Sequence, residues 1–238
     1  MNSKNNNVRQ TIRDKREWHS PPLNEKDQAK GFSGWRSRGY LPHFDAPGVR
    51  QFLTYRLEDG LPASRRREWE SLLELEDERE RQIQIEAYLD KGFGECHLRN
   101  PQVADMVQNG FLFFDDQRYR LLAWVVMPNH VHVLIELGEI SLAEIIHSWK
   151  SFTAKEANRM LNRTGAFWQV EYFDRYIRDE EHFRKAVHYI EWNPVKAHLV
   201  NSPEEGRWSS ASQRPNRSAG VPPASLEINR NPQKDSPT

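Results

Sequence analysis

Two histidines, His130 and His132, stand one residue apart in the run MPNHVHVLIEL, residues 127–137. The run from 130 has strand length, and side chains on a strand alternate between faces, so His130, His132, Leu134 and Glu136 point one way. Val131, Val133, Ile135 and Leu137 point the other way and make a wholly apolar face, which belongs against a core. The histidines therefore share the opposite face. Imidazole nitrogens placed like this can take two adjacent positions on one divalent cation. Taken alone, an H-x-H on a strand is more commonly a pair of hydrogen-bonded or surface histidines. A zinc site would ask for a cysteine or third histidine at a characteristic spacing, and neither stands nearby. Cys96 and His97 are conceivable partners, although a single thiol in a turn is more often plain packing.

A second set lies near the end of the last helical segment. Tyr189 and Asn193 are four residues apart and so share a helix face, with Lys185 four residues earlier on the same stripe. Phe183, Val187 and Ile190 fill a different stripe, the one expected to be buried. Asn193 precedes Pro194, which predicts that it leaves helical geometry and caps a following turn, VKAHL. A tyrosine is most often an amphipathic residue at a domain edge. Beside a two-histidine metal, its phenolate could instead attack a phosphorus whose oxygens the metal polarises.

The elements that would hold these residues can be read from pattern. VRQFLTYRLED alternates, with Phe52, Thr54 and Arg56 on one face and Leu53, Tyr55 and Leu57 on the other, a first strand. Residues 62–90 carry the spacing of one long or two shorter helices, with Ser64 as N-cap. KGFGECHL, 91–98, is a turn-rich break. Asn100 as N-cap and Pro101 at the first helical position start a helix whose stripe is Val103, Met106 and Val107. Residues 119–128 and 130–137 are two strands punctuated by Pro128 and Asn129, a central hairpin. Ser141, with Glu144 three residues on, opens an amphipathic helix over 141–161. Residues 165–179 are aromatic and partly extended, and Asp179 caps the helix that carries Tyr189. Strand, helices, strand, strand, helix, short strand, helix predicts an α+β sandwich: helices packed on a largely antiparallel sheet.

Composition bounds the setting. The chain has 238 residues, 37% hydrophobic, and a mean hydropathy of −0.87. That predicts one domain flanked by polar segments: residues 1–32 and 212–238 disordered, 33–211 folded, with 33–48 an aromatic and basic arm lying on it. A single cysteine excludes an internal disulfide framework and fits a reducing cytoplasm. There is no signal peptide and no apolar run of membrane-spanning length. Net charge is zero, yet residues 1–40 hold nine Lys/Arg against four Asp/Glu, and residues 61–90 hold five against nine. A basic arm can neutralise phosphates locally, and a solvated tail accounts for the charge equally well.

MPNHVHVLIEL, followed about sixty residues later by HYIEWNPVKAHLV, resembles the HUH single-tyrosine transposases, and more narrowly the REP-associated tyrosine transposases of bacteria. The resemblance extends over residues 34–211 and includes GYLPHFDAPG, PQVADMV, SWKSFTA, FWQVEYFDRYIRD and RWSS. It implies a ferredoxin-like core, His130 and His132 as metal ligands, Asn193 as the third ligand and Tyr189 as nucleophile. The implied cation is Mg²⁺ or Mn²⁺. The implied reaction is transesterification of single-stranded DNA through a 5′-phosphotyrosine, at short palindromes folded into hairpins. Trp35, Arg36 and Arg38 are candidates for contact with that DNA, since aromatics stack on unpaired bases and arginines reach phosphates or guanine edges. Lys150, Arg175 and Arg178 are candidates for lining its path. A solvated or structural role has equal standing for each of these six. The resemblance points to a monomer in the bacterial cytoplasm, a dimer being the other form in the wider family. Competing readings are a hairpin-binding protein with vestigial catalysis and a metal-dependent phosphodiesterase that does not use the tyrosine. The acidic stretch 64–85 is longer than such a domain needs.

Overall fold

The computed structural model describes residues 23–38, 41–60, 63–75 and 78–213. In chain order these form α1 (Glu25–Ala29), a hairpin of β1 (Gly34–Arg38) and β2 (Leu41–Asp45), then β3 (Arg50–Arg56). Helices α2 (Arg66–Leu73), α3 (Glu78–Asp90) and α4 (Pro101–Leu112) follow. The chain continues through β4 (Tyr119–Val126), β5 (His130–Leu137), α5 (Leu142–Met160), β6 (Phe173–Tyr176), α6 (Glu180–Lys196) and α7 (Ser210–Gln213).

Strands β3 to β6 make one antiparallel sheet in the order β4-β5-β3-β6. Helices intervene between β3 and β4 and between β5 and β6, which is the β-α-β-β-α-β connectivity of a ferredoxin-like sandwich. Alternation decides what each face of the sheet meets. Leu53, Tyr55, Val131, Val133, Ile135 and Leu137 join Val103, Val107 and Phe111 of α4 and Ile145, Ile146 and Trp149 of α5 in the main core. Phe52, Ala123, Val125 and Leu134 face the other way, against Val187 and Ile190 of α6. Both histidines sit on this second face, between the sheet and α6.

Strand β4 holds its share of both cores through an irregularity. Its register against β5 shifts between Leu121 and Ala123, so one residue is extra. Leu121 faces the main core, while Leu122 and Ala123 both pack toward α6. This is a bulge, which re-aims the side chains that follow it.

Several helix boundaries follow the sequence. Asn100 Oδ1 accepts from Gln102 N–H with Pro101 behind it, Ser141 caps α5 through Glu144 N–H, and Asp179 caps α6 through His182 N–H. Three expectations are corrected. The helix read from Ser64 starts at Arg66 after a 3-10 turn, and its cap position, Arg65, makes no side-chain cap bond. Residues 25–29 are helical within the stretch read as disordered, because Asn24 and Asp27 form a reciprocal capping box. The remaining expected disorder, residues 1–22 and 214–238, lies outside the described residues. Finally, α6 runs through Pro194 instead of breaking at Asn193. The proline removes one helical hydrogen bond. Burial of Asn193 and Pro194 offsets it, and the bonds from Ala197 N–H to Asn193 O and Leu199 N–H to Pro194 O carry the turn onward.

The acidic region forms two helices, α2 and α3, with a small core of Trp69, Ile85, Tyr88 and Leu89. Arg56 of β3 lies over the Trp69 ring at 3.7 Å, which joins this subdomain to the histidine face of the sheet. The loop after α3 closes against the 3-10 turn Glu58–Gly60. Gly94 sits at φ +88, where an added Cβ would stand 2.8 Å from Asp59 O, so only glycine fits. The β1–β2 hairpin is fastened to β6 by Asp174, whose carboxylate meets buried His43 and accepts from Phe44 N–H.

Candidate active site

The register of the sheet assembles the centre. Thr54 of β3 stands opposite His132 of β5, and Arg56 opposite His130. His130 is 0% exposed and His132 1%. Their Nε2 atoms converge to 3.1 Å, with the rings edge to face. Each outer nitrogen has its own support: Asn129 Oδ1 lies 2.7 Å from His130 Nδ1, and Thr54 Oγ1 lies 2.7 Å from His132 Nδ1. Phe52 stacks on His132 from the same strand as Thr54.

Helix α6 brings the tyrosine. Docking of Val187 and Ile190 on the sheet turns the 189/193 stripe toward the histidines. Tyr189 Oη is 3.3 Å from His132 Nε2 and accepts from Asn193 Nδ2–H at 3.0 Å. Asn193 is 1% exposed, and its Oδ1 is buried with no hydrogen-bond partner among the described residues. Lys196, one turn on, holds its Nζ 5.7 Å from the centre of the Tyr189 ring and 3.9 Å from Asp90 Oδ2 of α3.

Burial sets the electrostatics. It pushes His130 down to about 3, with Arg56 a lesser cause. His132 is held well below the ordinary histidine range by burial first, then by His130 and Lys196. Both imidazoles are therefore neutral at neutral pH, the state a metal ligand requires. Burial also brings the partly exposed Asp90 carboxyl up, against a downward pull from Lys196.

These donors fit a divalent cation. Cis ligands about 2.1 Å from an octahedral ion stand ~3.0 Å apart, close to the 3.1 Å between the two Nε2 atoms. The partnerless Asn193 Oδ1 is an oxygen that could serve as a third donor, its burial being otherwise uncompensated. Two imidazoles and an amide oxygen are not a carboxylate cage: among the described residues, no three His, Cys, Asp or Glu side chains form a metal-holding group.

The other residues singled out in the sequence are dispersed. Cys96 Sγ donates to Gly92 O and His97 stacks on Phe167, so neither is part of the centre. Lys185 is solvent-facing and pairs with Glu181. Arg175 is half-buried on β6 opposite Phe52, and Arg178 is exposed just before α6. Trp35 is half-buried on β1, its ring 5.0 Å from Phe44. Arg36 and Arg38 lie on β1, opposite His43 and Leu41. Lys150 Nζ donates to the carbonyls of Gln169 and Val170 and lies near Tyr55, on the face of the sheet away from the histidines. Desolvation lowers it to about 8. Sequence reasoning did not single out Asn129, Thr54 as a histidine partner, or Lys196. Alternation placed Thr54 on the correct face, but its pairing with His132 is a matter of register.

Residues 105–193 match the family model described as transposase, IS200 like. A Haemophilus influenzae protein classed among the REP-associated tyrosine transposases is 27% identical over 103 residues, which is 39% of this chain and 58% of that protein. The chain thus spans a little over half the length of that relative. A solved structure of a REP-associated tyrosine transposase bound to a REP hairpin is similar over 75% of this chain and 90% of that one, with 19% identity and a TM-score of 0.45. The segment that holds His130, His132, Tyr189 and Asn193 is the segment that matches the IS200-like transposase family.

Proposed function

We propose that the chain is a single-tyrosine transposase that cuts and rejoins single-stranded DNA with Tyr189 as nucleophile. The observation that carries this reading is the meeting of one tyrosine oxygen, two imidazole Nε2 atoms and the buried amide of Asn193 between the sheet and α6. His130, His132 and Asn193 would hold a divalent cation, Mg²⁺ or Mn²⁺, which when bound would supply Lewis-acid polarisation of the scissile phosphate. Asn193 would serve both partners: its amide N–H orients Tyr189 Oη, and its buried oxygen has no other hydrogen-bond partner among the described residues. A bond forms from Tyr189 Oη to phosphorus as the bond to the 3′ oxygen breaks. The phenol loses its proton and the departing oxygen gains one, leaving a 3′-hydroxyl and a 5′-phosphotyrosine. Attack by a 3′-hydroxyl on that linkage reverses or transfers the strand, so no nucleotide cofactor is consumed. Half-burial of Tyr189 between Phe52 and His132 limits competing attack by water.

The substrate is a DNA hairpin of the REP type, in keeping with the name of the Haemophilus influenzae relative. Trp35, Arg36, Arg38, Arg175 and Arg178 are the contact residues of this reading. Lys150 is left to its carbonyl partners. The catalytic unit is residues 33–211, acting as a monomer in the cytoplasm; among the described residues no helix is long and apolar enough to cross a membrane. The test is incubation with an end-labelled single-stranded hairpin and Mn²⁺. A denaturation-resistant protein–DNA adduct that is lost in Tyr189→Phe is the expected result. Cleavage that survives Tyr189→Phe refutes it.

A further inference from the structure

The amide of Asn129 has only one workable orientation. One of its ends faces two backbone carbonyls, Leu89 O at 3.2 Å and Phe93 O at 3.3 Å. Carbonyls only accept, so that end must be the NH₂ group and the end toward His130 must be the oxygen. Asn129 is 2% exposed, so water does not offer an alternative partner. An oxygen that only accepts, 2.7 Å from His130 Nδ1, requires the proton of neutral His130 to sit on Nδ1. His130 Nε2 is then a bare lone pair.

That assignment propagates. With no cation between them, two bare Nε2 lone pairs cannot face each other at 3.1 Å, and His130 Nε2 has no proton to give; Tyr189 Oη, at 3.3 Å from His132 Nε2, is the more distant neighbour and already accepts from Asn193. His132 must donate from Nε2, which leaves its Nδ1 bare and makes Thr54 Oγ1–H the donor to it. A cation taken up by both Nε2 atoms cannot coexist with that N–H. His132 can stay neutral only by carrying its proton on Nδ1 instead, where Thr54 Oγ1 must accept. A hydroxyl does either by rotating; an amide oxygen cannot.

We infer that Asn129 and Thr54 are positioning residues with different tasks: Asn129 locks His130 with Nε2 open, and Thr54 lets His132 change tautomer when a cation enters. His132 loses its proton at Nε2 and gains one at Nδ1, so the imidazole remains neutral and no proton is released overall. The cation half of this inference rests on the metal-dependent function proposed above; the His130 assignment does not. Asn129 holds α3 and the following loop as well, because its two carbonyl acceptors are the end of α3 and residue 93. The acidic two-helix insertion thereby sets the orientation of a ligand.

The experiment is long-range ¹H–¹⁵N correlation on histidine-labelled full-length protein, first with EDTA and then with Mg²⁺. His130 is expected as the Nδ1–H tautomer in both states, and His132 as Nε2–H without the cation and Nδ1–H with it. His130 carrying its proton on Nε2 in the EDTA-treated protein overturns the Asn129 role, whatever the protein does to DNA. His132 unchanged under Mg²⁺ overturns the Thr54 role when Mn²⁺ paramagnetic resonance shows a bound ion; absence of any bound ion overturns the metal site and with it the cation half. Asn129→Ala should populate the Nε2–H form of His130 and weaken Mn²⁺ binding by about 10- to 100-fold. Thr54→Val should leave His130 unchanged and weaken Mn²⁺ binding. The wild-type spectra decide the matter even if Asn129→Ala does not fold.

Discussion

Replacing both histidines by glutamine should flatten the acid dependence of stability by a calculable amount. His130 is pushed down to about 3 and His132 is also well below its ordinary range, both mainly by burial. An unfolded histidine takes a proton near pH 6.5. Between that pH and the folded values the unfolded chain therefore binds protons that the native chain refuses. Stability is fully present above about pH 6.5 and is lost as pH falls. At pH 5 the unfolded state gains ~2 kcal/mol for each histidine, or roughly 4 kcal/mol for the pair. That is a large share of the 5–15 kcal/mol typical of a domain. Other groups contribute as well: burial shifts His182 down and Asp90 up. The difference between wild type and His130→Gln/His132→Gln cancels most of their effect. Urea unfolding at pH 7 and pH 5, followed by tryptophan fluorescence with EDTA present, should show wild type losing about 4 kcal/mol more than the variant. Parallel losses would refute the reasoning, since they would mean the histidines accept protons in the native state.

Further outcomes follow from individual contacts. Ile190 is fully buried between α6 and the sheet, so Ile190→Ala should cost about 2–5 kcal/mol in chemical denaturation and loosen the tyrosine helix. Asp179→Ala removes the α6 N-cap and should lower the midpoint of chemical denaturation, with the cation affinity unchanged. Asn193→Ala removes the proposed third donor and the N–H that holds Tyr189. Mn²⁺ titration should show affinity falling by more than ~10-fold in a protein whose far-ultraviolet circular dichroism is unaltered.

Much of the centre was legible in the sequence, for physical reasons. A strand has a period of two, so the apolar set Val131, Val133, Ile135 and Leu137 assigned both histidines to the opposite face before any partner was known. Helical spacing paired Tyr189 with Asn193, and polar caps marked the starts of α4, α5 and α6. Tertiary choices were less accessible. The extra residue near Leu122 changes which side chains of β4 meet α6, and a run of uniformly apolar residues contains no sign of it. Pro194 is a local break signal that packing on both sides of the helix overrules. Asn129 reads as turn punctuation, because its value depends on two carbonyls some forty residues earlier in the chain. Lys150 reads as a surface cation until the 169–170 carbonyls are brought to it.

The central claim is that Tyr189 is the atom-bearing partner of cleavage, and the covalent bond itself can be located. Wild-type protein is incubated with a single-stranded hairpin and Mn²⁺, the attached DNA is trimmed by nuclease, and the protein is digested for mass spectrometry. The account predicts a nucleotide mass on the peptide that contains Tyr189 and on no other. A modified peptide elsewhere in the chain, or cut DNA without any modified peptide, would contradict it.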